Sequence, residues 1–467
     1  MALGRVAATQ KSIDWITFSL YLSLVFIGWL MIFAAEYTGE EDWFSLSTSI
    51  GKQTLWLGMA FIVLLIVLNI DWKFWRNFSF ILYAVSLLLL VTVLFLGLEV
   101  NGARSWFNLF GFTLQPAEIA KFTTALAVSS YLSGPTSKLR NLKSILVAIG
   151  LFVAPMILIV LQPDPGSALV FLSFFILLYR EGLSPLLYVL AIVTMAVFIL
   201  SLSISPLSVV VLLSTAAILI VVQNLNFRLY WNLSVLVLVI ASIICIDQGF
   251  EKEILFVNGL VLLFLLFFQA MKAKFRLVGM TSIALLVFAA IAYGTNYTFI
   301  NVLEPHHQDR INVWLHPDKC DPHGPLYNVL LSKMAIGSGG LTGKGYLDGT
   351  LTKLNYVPEQ STDFIFCTVG EEQGFIGSIM IIGLFVFLIF RIVTIAERQR
   401  LNLFRHYAYA VAGILFFHFT INIGMTMGLL PIIGIPLPFI SYGGSALLGF
   451  TLMIGVLLKF DSQRYLN

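Results

Sequence analysis

Apolar residues run along this chain in stretch after stretch of about the twenty residues that an α-helix needs to cross a hydrocarbon core. Turn and charge signals divide them into about fourteen segments, near 13–35, 54–70, 77–98, 116–133, 145–162, 166–180, 186–203, 206–223, 229–246, 254–271, 277–298, 363–391, 406–429 and 441–459. The pattern predicts an all-α polytopic integral membrane protein in which residues 1–467 form one transmembrane bundle. One stretch breaks it. Over 301–363 the chain reads HQDRINVWLHPDKCDPHGPLYN and then GSGGLTGKGYLDGTLTKLNYVPEQSTDF, rich in charge, glycine and proline. A chain otherwise suited to lipid that sets such a stretch aside is expected to keep its chemistry there, so 299–362 reads as a large loop carrying the reaction.

Composition rules out a water-soluble globule. Only 11% of the 467 residues are charged and 59% are hydrophobic, where a soluble domain carries about 25% charged residues. Mean hydropathy is +0.94. The first apolar run follows MALGRVAATQKSIDW and lacks a small-residue cleavage site, so it reads as an uncleaved span. The net charge of +3 says little, but its placement sets an orientation. With both termini cytoplasmic, Lys73, Arg76, Lys138, Arg140, Lys143, Arg180, Arg228, Lys272, Lys274, Arg276, Arg398, Arg400, Arg405 and Arg464 all fall on the inside, and the acidic turns at 40–42 and 247–253 fall outside. The polar loop is then extracytoplasmic. Cys245, Cys320 and Cys367 have neither metal-ligand nor disulfide-framework spacing, and the scattered His306, His307, His316 and His323 do not suggest a metal cluster. No internal repeat stands out, which weighs against transporter folds built from duplicated halves.

Several residues could carry chemistry. Asp321, in CDPHG, has the form of a β-turn residue; its alternative role is that of a base toward a hydroxyl, or a ligand for a divalent cation, on a loop against the bilayer. Asp318 is a second carboxylate or a solvated loop charge, and Arg310 of the same loop is a candidate for substrate binding. NGARSWFNLFGFTLQPAEIAK reads as a turn with Arg104, an interfacial aromatic stretch, and a helix starting at Pro116 that sets Glu118 and Lys121 three apart on one face. Those two form an intrahelical ion pair or, with Arg104, a site for an anionic phosphate group. Asp164 in QPDPGSA is a helix N-cap or a functional carboxylate. Glu359, Asp363, Glu371 and Glu372 collect at the loop's end. Asp363 suits the next helix's dipole, but Glu371 and Glu372 lie two turns inside it and need a polar partner, for which Lys121 and Arg104 are candidates. GSGGLTGKG lacks the Walker spacing, which excludes nucleotide binding and leaves a glycine backbone that lets a bulky ligand approach. Pro431, Pro436 and Pro438 break the segment GLLPIIGIPLPFISYGGS, as in a re-entrant or cavity-lining stretch.

Taken in order, NGARSW, QPAEIAK, QPDPGSA, DPHGPLY, PEQSTDFIF with GEEQGF, and PLPFISYGGSA resemble the SEDS (shape, elongation, division and sporulation) glycosyltransferases of bacteria, and SKMAIGSGGLTGKGYLDGT is similar to their cell-elongation branch. The resemblance implies a lipid II polymerase of the cytoplasmic membrane that makes peptidoglycan strands on its outer face, with the aspartate of the DPxG motif, Asp321, as the catalytic carboxylate. Arg104, Lys121 or a divalent cation (Mg or Mn) would stabilise the diphosphate leaving group, and Glu118, Asp164, Arg310, Glu359, Asp363, Glu371 and Glu372 would line the substrate site. It further implies a class B penicillin-binding protein as transpeptidase partner. Leu326 stands where the family motif has a second glycine, and Ser361 where it has histidine. The segment 186–298 holds about four helices beyond the family's usual ten. A lipid II flippase and a non-catalytic scaffold of a wall-synthesis complex are the rival readings.

Overall fold

The computed structural model describes residues 13–37, 45, 48–100, 102–109, 112–135, 139, 141–224, 229–271, 275–303, 305–320, 325–354 and 356–464. The chain folds into two compact units, one of Met1–Leu183 with Asp321–Asn467, the other Ser184–Cys320.

The first unit opens with α1 (Trp15–Glu36), α2 (Ser49–Asn69) and α3 (Trp72–Leu96). Each is started by a polar N-cap: Asp14 accepts from Thr17 N (3.0 Å), Thr48 from Gly51 N (3.1 Å) and Asp71 from Lys73 N (2.8 Å). A three-stranded antiparallel sheet follows, β1 (Leu98–Val100), β2 (Ala103–Leu109) and β3 (Phe112–Leu114), a departure from the all-α expectation. Its cause is local. Val100 pairs with Ala103 and Gly102 has φ 81°, and Asn-Gly between two strands is the strongest short-range hairpin signal a sequence offers. Next come α4 (Pro116–Leu132), α5 (Leu142–Val160), α6 (Pro165–Leu169) and α7 (Phe174–Arg180).

The second unit holds α8 (Pro185–Ser203), α9 (Pro206–Asn224), α10 (Leu229–Asp247), α11 (Glu251–Met271), α12 (Phe275–Asn301) and α13 (Pro305–Leu315), and so contains the whole 186–298 segment. Ile218, Val221, Val222 and Leu265 form a core between α9 and α11. Asn258 of α11 donates to Ser214 Oγ of α9 (3.0 Å), and Glu251 accepts from Ser205 and Ser208, which ties the start of α9 to the start of α11.

The chain then returns to the first unit through α14 (Pro325–Ser338), the single turn α15 (Thr350–Lys353), α16 (Ile365–Arg398), α17 (Asn402–Thr426) and α18 (Gly444–Ser462). The polar stretch expected to be a loop is therefore largely helical in its described residues. Pro305 and Pro325 are the first residues of α13 and α14, where a missing N–H costs nothing, so prolines that suggested a loop start helices instead. Leu331 and Ala335 of α14 bury against Phe364 and Cys367.

Among the described residues, eleven helices are long and apolar enough to cross a membrane. The remaining three expected segments are helical as well: α4, at 17 residues, the interrupted α6 and α7, and α10, at 19 residues. The central helix is among those that fall short. Almost all of α4 is buried, against α3, α5, α17 and α18, and its Ala117, Ala120, Ala125 and Ala127 allow that close packing. A helix screened from lipid by its neighbours has no need of an apolar surface.

At one end of this unit, Arg391 and Arg398 of α16 bind Asp14 beside α1, and Arg398 and Arg464 bind Asp461 of α18. Burial alone would push the Asp14 carboxyl up, but hydrogen bonds from Arg391, Thr17 and Arg398 outweigh it and hold the group well below the usual carboxylate range.

Candidate active site

A fully buried ion pair of the first unit is on α4. Lys121 Nζ lies 2.7 Å from Glu118 Oε1 and 3.0 Å from His418 Nε2 of α17, with the Phe450 ring centroid 5.4 Å away. The Lys121 side chain is 0% exposed and that of Glu118 2%. An ammonium has only hydrogens to give, so His418 Nε2 must accept. Its Nδ1 faces Pro436 O at 3.1 Å, a group that can only accept, so Nδ1 carries the proton. Geometry thus fixes the neutral Nδ1–H tautomer and makes a chain from Glu118 through Lys121 and His418 to the backbone of the proline-broken segment.

That segment, between α17 and α18, is non-helical from Pro431 to Leu437, and several of its backbone groups find partners in protein. Asn422 donates to Ile435 O (2.7 Å) and Asp363 O (2.8 Å), Ser441 Oγ accepts from Leu437 N (2.8 Å), and Tyr442 N donates to Ser361 O (2.8 Å). Gly166, in the first turn of α6, sits where a Cβ would press on Ile433 O. At the same end of α6, Asp164 caps Ser167 N (3.0 Å) and accepts from Gln115 Nε2 (2.8 Å). Four of the sequence motifs, QPAEIAK, QPDPGSA, STDF and PLPFISYGG, therefore meet around one irregular segment. Of the side chains that join them, His418, Asn422 and Gln115 are not singled out by sequence; a lone histidine in an apolar helix is the available signal.

Glu371 and Glu372 find neither Lys121 nor Arg104. Glu371 instead collects Lys344 Nζ (2.6 Å), Thr350 Oγ1 (3.2 Å), Leu351 N (2.9 Å) and Thr352 N (2.9 Å), so it caps α15 and pins 344–353 to α16. Glu372 Oε2 is buried with no hydrogen-bond partner among the described residues. The glycines of GSGGLTGKG explain the fit. Lys344 N and Gly345 N donate to Glu371 O and Glu372 O (both 3.1 Å), and Phe375 N and Ile376 N donate to Gly340 O and Leu341 O, across a kink in α16 where Gly374 takes φ 62°. At Gly339 and Gly343 backbone lies directly on backbone, so these two glycines serve packing within the protein.

Gly343 illustrates the constraint: its φ is 81° and a Cβ there would collide with Glu372 O. Gly343→Ala is expected to lower stability by about 1–3 kcal/mol or more. Gly337→Ala, in open space at the end of α14, should be near neutral. Thermal unfolding in detergent micelles compares the two.

A family model described as "Cell cycle protein", covering FtsW, RodA and SpoVE, matches residues 14–232 and 202–466. The chain belongs to this SEDS family. It is 29% identical over 455 residues to the peptidoglycan glycosyltransferase RodA of Treponema pallidum, covering 97% of this chain and 98% of that one. Escherichia coli K12 MrdB, also named a peptidoglycan glycosyltransferase, is 28% identical over 92% of this chain and 90% of its own. Among solved structures, a chain from a study of polymerization and crosslinking by a peptidoglycan synthase complex superposes with a TM-score of 0.63 at 22% identity, over 98% of this chain and 99% of that one.

The other SEDS motif residues are placed as follows. Arg104, on β2, is exposed (58%) and pairs with Glu99 at 3.1 Å. Glu359 is an exposed turn residue at φ 53° whose carboxylate accepts from Thr362 Oγ1 (2.9 Å). Asp363 is partly buried, with Oδ2 close to Gly434. Arg310 is exposed on α13 in the second unit. Asp321 and the rest of DPHG, residues 321–324, lie outside the described residues, between α13 and α14. Among the described residues, no three carboxylate, imidazole or thiol groups converge to hold a metal ion.

Proposed function

We propose that this chain is a peptidoglycan glycosyltransferase that polymerises lipid II into β-1,4-linked glycan strands during cell elongation. The observation that carries the reading is the match to SEDS proteins along nearly the whole chain, including relatives named RodA and MrdB. In the reaction, the acceptor sugar's 4-hydroxyl attacks the donor's anomeric carbon, its proton passes to Asp321, and the bond to the lipid diphosphate breaks, with inversion in one displacement. The diphosphate is a stable anion that needs cationic stabilisation rather than a proton. Arg104 is exposed to a ligand. Lys121 reaches one only if its bonds to Glu118 and His418 open, so its part in the resting state is to hold Pro436 in place.

The protein is placed in the bacterial cytoplasmic membrane with fourteen spans, both termini inside and the DPHG segment outside, an orientation supported by the placement of its Lys and Arg residues. A class B penicillin-binding protein is its partner in this reading, supported by the likeness to a component of a synthase complex described by both polymerization and crosslinking. The test is purified protein given lipid II, with and without that transpeptidase, in Mg, Mn or chelator, with product sized on a gel. Glycan ladders are expected. Movement of lipid II across liposomes without any polymer would overturn the reading in favour of a flippase.

A further inference from the structure

We propose that the first unit carries an anion pocket for a phospholipid headgroup phosphate, at the end of the bundle away from the site above. The helices α4 and α17 run antiparallel: Lys121 meets His418 near one end, and Ser133 Oγ meets His406 Nδ1 (3.3 Å) near the other, about 18 Å along α4 at 1.5 Å per residue. Beyond that second contact lies a cavity of about 390 Å³, lined among others by Trp72, Arg76, Ser130, Ser133, Arg400 and Asn402. Among the described residues, no acidic side chain lines it.

Three features give it its chemistry. Arg76 and Arg400, both exposed, line one cavity, and the Arg76 guanidinium has no ion-pair or hydrogen-bond partner among the described residues. The 25-residue α17 starts here without a side-chain cap at Leu401, so the positive end of its dipole, at Asn402 and Leu403, lies at the cavity. Trp72, packed edge-on against Phe404 (5.4 Å between centroids), is the kind of amphipathic ring that marks the boundary between lipid and water. Opposing these is the C-terminal end of α4, equivalent to roughly half a negative charge, which the unpaired Arg76 guanidinium alone outweighs. Planar guanidinium forks match phosphate oxygens, and serine and asparagine side chains supply further hydrogen bonds. A pocket of this kind at the lipid boundary selects the phosphate of an anionic phospholipid.

Native mass spectrometry of the full-length protein tests it, using phosphatidylglycerol and diacylglycerol of the same chains. Wild type is expected to retain phosphatidylglycerol at least fivefold over diacylglycerol. R76E/R400E should lose that preference, and K73E, which removes an exposed charge of the same helix outside the pocket, should keep it. Inorganic phosphate supplied to lipid-free micelles tests the other source of the same chemistry. If it raises the unfolding temperature of wild type but not of R76E/R400E while phosphatidylglycerol shows no preference, the pocket takes soluble phosphate and the lipid assignment is overturned. Equal retention of both lipids without a phosphate effect, or equal losses in K73E and R76E/R400E, overturns the pocket itself. The outcome is independent of whether the protein polymerises lipid II.

Discussion

Asp321→Asn is expected to lower the rate of lipid II polymerisation by about 10²–10⁴, the usual worth of a positioned general base. The acceptor hydroxyl is a poor nucleophile while it keeps its proton, and the amide that replaces the carboxylate has no basic site to receive it. The substitution keeps the side chain's size, and the amide still bonds the backbone of an Asx turn, so the turn-forming role of CDPHG should survive. This separates the two roles that the residue pattern leaves open. Unchanged unfolding temperature with lost polymer assigns Asp321 to the chemistry, whereas full activity would leave it a turn residue. Asp321→Ala, which removes both functions, should be no more active and less stable.

Lys121→Ala is expected to destabilise the first unit by about 3–5 kcal/mol, because it leaves the Glu118 carboxylate buried without its counter-charge. Glu118 has few alternatives: Oε2 already lacks a hydrogen-bond partner among the described residues, and Oε1 would lose its ammonium. His418 would lose the donor to Nε2, loosening its hold on Pro436 O and with it the irregular segment that the motifs surround. The double variant Glu118→Gln with Lys121→Met removes both charges at similar volume and should recover most of the stability. Thermal unfolding in micelles decides this. Equal stability of Lys121→Ala and wild type would mean that water or lipid headgroups reach Glu118 freely. Polymerisation by the stable double variant then asks a second question. Loss of activity there would point to Lys121 acting on substrate, since packing would have been restored.

The legible part of this protein lies in features that are local. Hydropathy locates every long helix, and Asp164 as an N-cap and Glu118–Lys121 as an intrahelical pair follow from spacings of three residues. The β1–β2 pairing is equally local, but it sits in a chain whose hydropathy points to helix throughout, and the all-α expectation misses it. Partners set by tertiary packing are not legible in this way. Spacing and charge point Glu371 toward Lys121 or Arg104, both distant in sequence, when Lys344 is delivered to it by a glycine backbone folded onto α16. The same ambiguity affects the glycines, because φ and open space are properties of the folded chain and a row of Gly residues reads alike for a ligand cradle and for backbone packing.

By itself, then, the sequence determined the membrane, since nothing but lipid accommodates so many apolar spans. It also determined the family, because six motifs in fixed order are a covalent property of the chain. Only the tertiary structure decided that α4, the helix carrying Glu118 and Lys121, is enclosed by four others, that a histidine from α17 completes its charge pair, and that the broken segment before α18 is held by side chains of α17 and the backbone of the STDF motif. The physical reason is the same in each case. Spans are selected by the solvent they face, which one-dimensional hydropathy records, whereas a buried polar group is stabilised by whichever partner the packing brings within about 3 Å, and that partner can lie hundreds of residues away.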